Sequence, residues 1–195
     1  MNNGHKPVGI LAFQGDFAMH AKMLDRIGKP WKLVKHASDL EEVSGLIMPG
    51  GESTTMLKFF DEEKLGPAVK EFAGSGKPIF GTCAGTILLA NRVLNPPQEH
   101  LGLMDITVER NAYGRQIDSS VRQGSCPEIS DHPVEMVFIR APIIRQVGEE
   151  VKVLGRSGDL PVIVEQGNIL AATFHPELTE DETIHRYFLS KVKQR

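Results

Sequence analysis

The chain has 195 residues, 41% hydrophobic and 24% charged, values of an ordinary globular protein that suit one domain over residues 1–195 and leave no room for a second full one. A formal net charge of −3 without a Lys/Arg cluster gives no electrostatic footprint for nucleic acid, and no apolar run is long enough to cross a bilayer. The two cysteines, Cys83 and Cys126, can build neither a disulfide framework nor a Cys-x-x-Cys zinc site. The start from Met1 to Pro7 is polar and carries no apolar segment of signal type, so the expectation is a cytoplasmic protein with free thiols.

Residues 8–13 are continuously apolar, the pattern of a strand covered on both faces. After Gln14-Gly15-Asp16, the spacing of Phe17, His20, Leu24 and Ile27 predicts a helix that Gly28 stops. A strand over 31–34, a short helix over 38–42 capped by Ser38 and a third strand over 46–48 follow. Pro49-Gly50-Gly51-Glu52-Ser53-Thr54-Thr55 then closes that strand. Its paired glycines allow backbone N–H groups to face a cleft, though an ordinary turn with Ser53 or Thr54 as a helix cap accounts equally well for these residues. Helical stretches over 56–60 and 65–72 lead to the segment around which the chain is organised.

That segment, residues 77–90, reads as strand, tight turn and helix, and it contains Gly81-Thr82-Cys83-Ala84-Gly85. Gly-x-Cys-x-Gly is the thiol form of the nucleophile elbow, which lifts its central side chain out at a strand's C-terminal end. Glycines at 81 and 85 avoid crowding between strand and helix and accept unusual backbone angles, and the helix start favours the thiolate. A plain buried cysteine in an α/β core is the alternative. Beyond a break at residues 95–98 the texture changes to short strands at 101–109, 134–139, 151–154 and 160–165, expected to form an antiparallel or mixed extension. Residues 116–133 are polar and aperiodic, a loop by expectation, with Cys126 in a turn-like surface setting and no role assigned to it. A last buried strand over 169–174 ends at His175-Pro176-Glu177, and Ile184, Phe188 and Val192 mark a C-terminal helix. Regular strand and helix alternation predicts a three-layer α/β fold: a mostly parallel, flavodoxin-like sheet with helices on both faces and its ligand site at the strand C-terminal ends.

A thiolate nucleophile needs a base, and the base needs an orienting group. His175 and Glu177 fit these roles if Pro176 keeps the stretch extended so that both side chains point the same way. A structural histidine is the alternative, and a metal site is disfavoured because no third ligand has a motif-like spacing. Oxyanion donors are expected from the N–H of Ala84 and from Gly50-Gly51.

These residues resemble the class I (triad) glutamine amidotransferases, whose hallmarks are the Gly-x-Cys-x-Gly elbow and a later His-x-Glu. Six blocks in family order narrow the resemblance to the glutaminase subunits of pyridoxal 5'-phosphate synthase. They lie at residues 11–16, 49–56, 81–85, 108–116, 138–142 and 174–178. The resemblance implies hydrolysis of L-glutamine to glutamate and ammonia by Cys83, His175 and Glu177, with no cofactor and no metal. It implies glutamine contacts from Gly51, Glu52, Ser53, Arg110, Ile139 and Arg140, of which Arg110 and Arg140 suit the substrate carboxylate, surface ion pairs being their alternative. Gln14 corresponds to a position beside the active site and the subunit interface. The implied partner is a synthase subunit that receives the ammonia and orders the oxyanion loop. Competing readings are a glutaminase serving another pathway, such as histidine biosynthesis, which the blocks at 49–56 and 108–116 oppose, and a redox sensor or chaperone, which needs no oriented base.

Overall fold

The computed structural model describes residues 6–13, 15–110 and 119–193. Strands and helices alternate through the first half: β1 (Val8–Leu11), α1 (Phe17–Ile27), β2 (Trp31–Val34), β3 (Gly45–Met48), α2 (Ser53–Glu62), α3 (Leu65–Gly74), β4 (Ile79–Thr82) and α4 (Ala84–Leu89). Five strands follow, β5 (Ala90–Leu94), β6 (Met104–Glu109), β7 (Ser119–Gly124), β8 (Val134–Ile139) and β9 (Ile143–Val147). The chain closes with β10 (Lys152–Ser157), β11 (Leu160–Gln166), β12 (Ile169–Ala172) and α5 (Thr183–Lys191).

The main sheet has the order β10-β11-β12-β4-β3-β1-β2. The run from β12 to β2 is parallel throughout, and β10 and β11 add the expected antiparallel extension at one edge. Side chains alternate across the sheet as the two-residue strand period requires. Leu11, Leu46, Met48 and Ile79 enter one core with Met56, Phe60, Val69 and Leu88 from α2, α3 and α4. Ile10, Ile47, Phe80 and Leu170 enter the other with Leu24 from α1 and Ile184 and Phe188 from α5. Helices on both faces of a parallel sheet place the ligand site at the strand C-terminal ends. Four adjacent strands, β12, β4, β3 and β1, therefore deliver the segments after residues 172, 82, 48 and 11 to one rim.

Several expectations are corrected. The short helix over 38–42 is a 3-10 turn over Ala37–Glu42, and Ser38 is not its cap: the Asp39 carboxylate instead accepts the N–H groups of Lys35 and His36 at 2.9 and 3.0 Å. Part of the expected loop at 116–133 is ordered, because β7 pairs antiparallel with β8 from Ser119 opposite Ile139 to Gly124 opposite Val134. The extension also includes a separate mixed sheet, β5-β6-β9, whose outer strands the apolar pattern did not mark. Cys126 is fully buried rather than superficial, its Sγ lying where a Cβ on Gly155 would come within 2.4 Å of it. Burial and the nearby Asp181 push its thiol up to about 11.

At the elbow, backbone approaches backbone: a Cβ on Gly85 would lie 2.1 Å from the Met48 carbonyl oxygen, and one on Gly81 would lie 2.6 Å from Leu89 Cδ1. Gly85→Ala is accordingly expected to destabilise the fold by about 2–3 kcal/mol in urea denaturation; a loss under about 0.5 kcal/mol would show that the layers are not held so close. In the native protein, iodoacetamide should modify Cys83 while sparing Cys126 until denaturant is added.

Candidate active site

Cys83 stands between β4 and α4 with φ 46° and ψ −101°, a left-handed conformation that a non-glycine residue adopts only under restraint. The restraint is visible. Its N–H donates to the Ala172 carbonyl at 2.9 Å, while the Thr86 hydroxyl donates to the carbonyls of Ala172 at 2.7 Å and Gly81 at 3.1 Å. Thus the elbow is pinned to β4 and β12 together. The unusual backbone angle falls on the cysteine itself, and Gly81 and Gly85 contribute room rather than conformational freedom.

His175 and Glu177 come together behind Cys83, by a different local geometry from the one expected. Pro176–Leu178 form a 3-10 turn in which proline takes a first-turn position, where its missing N–H costs nothing. Within this turn His175 Nδ1 lies 2.8 Å from Glu177 Oε1, and Asp16 Oδ2 approaches the same nitrogen at 3.4 Å. Both His175 and Glu177 are buried. Burial pulls the His175 imidazole down in pKa, but the Asp16 and Glu177 carboxylates and the nearby Cys83 sulfur outweigh it and the group is pushed up to about 12. Burial also pushes the Glu177 carboxyl up, with His175 opposing, while His175 holds Asp16 below the usual carboxylate range. The aligned hydrogen bond of the Cys83 thiol is a long one, to the Ile139 carbonyl at 3.9 Å. His175 Nε2 is buried without a hydrogen-bond partner among the described residues. Gly50 packs against both groups: a Cβ there would lie 2.4 Å from His175 Cε1 and 3.4 Å from Cys83 Cβ.

Cys83 and His175 open onto a cleft of about 390 Å³. Its walls include all six residues expected to contact the substrate: Gly51, Glu52, Ser53, Arg110, Ile139 and Arg140. Asp16, Ile87 and Pro142 complete it and were given no role from the sequence, although Asp16 and Pro142 fall within the family blocks at 11–16 and 138–142. Of the expected oxyanion donors, Gly51 lines the cleft with φ 146°, Ala84 occupies the first turn of α4, where N–H groups lack intrahelical acceptors, and Gly50 is buried behind them. Gln14 lies outside the described residues.

The polar side chains of the cleft differ in commitment. Glu52, not Ser53 or Thr54, caps α2, its carboxylate accepting from the N–H groups of Thr54 and Thr55 at 3.0 and 2.8 Å. Although burial acts to raise it, these bonds and the two threonine hydroxyls bring Glu52 down to about 2. Glu52 also pairs with Arg110 at 3.7 Å, and the Ser53 hydroxyl donates to Gln98 Oε1 at 2.8 Å. Arg140 is exposed, has φ 43° and makes no ion pair among the described residues.

Asp16, His175 and Glu177 form a group of three donors within 4.8 Å of one another, the arrangement a metal would require. Nδ1 faces the two carboxylates at 2.8 and 3.4 Å, the placement of a ring N–H donor, and a hydrogen-bonded cluster accounts for the arrangement. With a folded pKa above the unfolded 6.5, the imidazolium contributes its stabilisation fully below pH 6.5 and loses it only as pH rises toward about 12. The His175 Cε1–H resonance is therefore expected to show no titration step between about pH 6 and 9; a midpoint near 6.5 would contradict the geometry.

The family model for the SNO glutamine amidotransferases matches residues 10–194. A pyridoxal 5'-phosphate synthase subunit PdxT from Kosmotoga olearia is 50% identical over 186 residues, 95% of this chain and 97% of the relative. The subunit of the same name from Solibacter usitatus is 53% identical over 192 residues, 96% of this chain and all of the relative. A crystal structure described as a glutamine amidotransferase superposes with a TM-score of 0.90 at 46% identity, covering 95% of this chain and 98% of that one. With the family matched over nearly its whole length and an elbow cysteine and buried histidine at one cleft, this chain belongs to the SNO glutamine amidotransferase family.

Proposed function

We infer that the chain is the glutaminase subunit of a pyridoxal 5'-phosphate synthase, hydrolysing L-glutamine through Cys83, His175 and Glu177. The observation that carries the roles of these residues is the cleft, which gathers Cys83, His175 and the six expected substrate contacts at one sheet rim. The Cys83 thiolate attacks Cδ of the side-chain amide, and the carbonyl π electrons move to oxygen, where N–H groups of the Ala84 and Gly50-Gly51 backbone receive the charge. As the tetrahedral intermediate collapses, the C–N bond breaks and His175 passes its proton to the departing nitrogen, releasing ammonia and leaving a thioester. Water then adds to the thioester carbon, giving a proton to the now neutral His175. The C–S bond breaks, glutamate leaves and the imidazolium is restored. Glu177 orients the ring throughout and offsets its charge.

Arg140 is assigned the substrate α-carboxylate, because Arg110 already faces Glu52 and Arg140 has no competing ion pair among the described residues. Ammonia passes to a synthase subunit, the partner proposed for this chain from the names of its relatives. Residues 1–195 serve as one glutaminase domain. We place it in the cytoplasm, where both thiols remain reduced; among the described residues, no helix is long and apolar enough to span a membrane.

With the synthase subunit supplied, Cys83→Ala should lower ammonia release from glutamine at least about 10³-fold. Retention of wild-type release would remove the thiol from the reaction and revive a sensor or chaperone role. Arg140→Ala should raise KM for glutamine about tenfold or more with a smaller effect on kcat, the loss of a charge-assisted hydrogen bond; an unchanged KM would shift the assignment to Arg110.

A further inference from the structure

Behind Glu177 lies a second polar layer that the hydrolytic steps leave unused. His20, on α1, and His185, on α5, are both fully buried, and their rings meet with His20 Nδ1 2.9 Å from His185 Nε2. The other nitrogen of His20, Nε2, lies 3.2 Å from Thr82 Oγ1 and 3.5 Å from Glu177 Oε2. Glu177 Oε2 and His185 Nδ1 have no hydrogen-bond partner of their own among the described residues. Phe80 meets both imidazoles edge to face, with ring centroids 6.3 Å from His20 and 5.7 Å from His185, and so limits their rotation. Burial holds both rings in the neutral form.

Two neutral imidazoles in contact share one hydrogen across the gap, and its direction fixes what His20 shows to Glu177. If His20 donated from Nδ1, its Nε2 would present a lone pair to a carboxylate oxygen at 3.5 Å, and His185 would be left with a buried N–H lacking an acceptor. If His185 donates from Nε2, His20 Nε2 carries the hydrogen and offers it to Thr82 Oγ1 and Glu177 Oε2. The atom left over is then a bare ring nitrogen, a cheaper orphan than an unpaired N–H. Repulsion at one end and the orphan at the other choose the same direction.

We propose that His20 is a positioning residue of the glutaminase reaction, a neutral Nε2–H donor that holds the outer oxygen of Glu177 while His185 fixes its tautomer. The proposal rests on the triad assignment made above. The donors then run one way, from His185 through His20 to the carboxylate, which receives the His175 N–H on its other oxygen. Thr82 directly precedes Cys83, so the same ring also references Glu177 to the strand that carries the nucleophile. With Oε1 bonded to His175 and Oε2 facing the His20 N–H at 3.5 Å, the carboxylate is restrained from swinging about its long side chain, and His175 keeps its orientation as the ring gains and loses its proton.

The tautomers can be read without mutation. In long-range 1H–15N correlation spectra of the native protein at neutral pH, His20 and His185 should each show a pyrrole-type Nε2 and a pyridine-type Nδ1. An Nδ1–H tautomer or an imidazolium at His20 overturns the proposal. In the complex with the synthase subunit, His20→Leu should lower kcat about 10- to 100-fold, the usual scale for groups that orient a working histidine, with KM for glutamine changed less than about threefold. His20→Gln, which returns an N–H near the Nε2 position, should recover most of the loss. A fully active His20→Leu, or a folded His20→Gln no better than leucine, overturns the role; if the leucine variant does not fold, the tautomer spectra decide. Cys83→Ala in the same assay separates the two levels. Its retaining ammonia release overturns the hydrolytic mechanism and the positioning role with it, whereas an inactive Cys83→Ala beside a fully active His20→Leu overturns the positioning role alone.

Discussion

The architecture depends on one close approach, that of Gly85 at the start of α4 to the Met48 carbonyl at the end of β3, where no side-chain atom fits between. Only with α4 seated so low on the sheet can β4 turn directly into it through a single residue. That residue, Cys83, takes up the backbone strain and is held there by hydrogen bonds to β12 and β4. Strain of this kind costs roughly 1–3 kcal/mol and persists only where the surroundings fix it. Here the surroundings include β12, whose C-terminal end supplies His175, and β3, which α4 approaches at Met48 and which leads to Gly50 and Gly51, so the tightness of the scaffold and the placement of the reactive groups have one cause.

Much of the parallel core was legible because it obeys local rules. The apolar runs at β1, β3, β4 and β12 read as strands, α1 ended at the expected stop, Gly28, which is left-handed, and the elbow followed from the glycine spacing around Cys83. The features that escaped are set by distant parts of the chain. Strands β5 and β9 carry exposed polar residues next to apolar ones and gain their identity from pairing with β6. Cys126 sits between glycine, serine and proline, which locally spell a turn, and is buried because Gly155 leaves space for its sulfur. The turn at Pro176–Leu178 shows a different kind of miss: proline was taken to enforce an extended chain, yet its fixed φ is equally suited to open a 3-10 turn.

The candidate site shows the same division. Cys83, His175 and Glu177 were visible as residue types at suggestive spacings, and the family blocks supplied the rest of the cleft. His20 was not, and Asp16 entered only as the last residue of the block at 11–16, because nothing in the local pattern says which groups of the loop after β12 they meet. Their proximity follows from the strand order, a property of the whole sheet. His20 entered the sequence pattern as one member of a helical stripe and stands in the structure as a polar group within an apolar layer. The charges of the cleft sort themselves in a related way: Glu52 is consumed in capping α2 and pairing Arg110, which leaves Arg140 as the cation without an ion pair among the described residues.

The hairpin of β7 and β8 is joined to the active histidine through the backbone, His175 N–H donating to the Val137 carbonyl at 2.8 Å. Two residues farther along that strand comes Ile139, whose carbonyl faces the Cys83 thiol, and then Arg140 at the cleft. One strand, β8, thus serves as a common datum for the imidazole and for the wall opposite the thiol. The hairpin therefore meets the site at two points of one strand, and its register against the loop after β12 sets the imidazole and the wall opposite the thiol together.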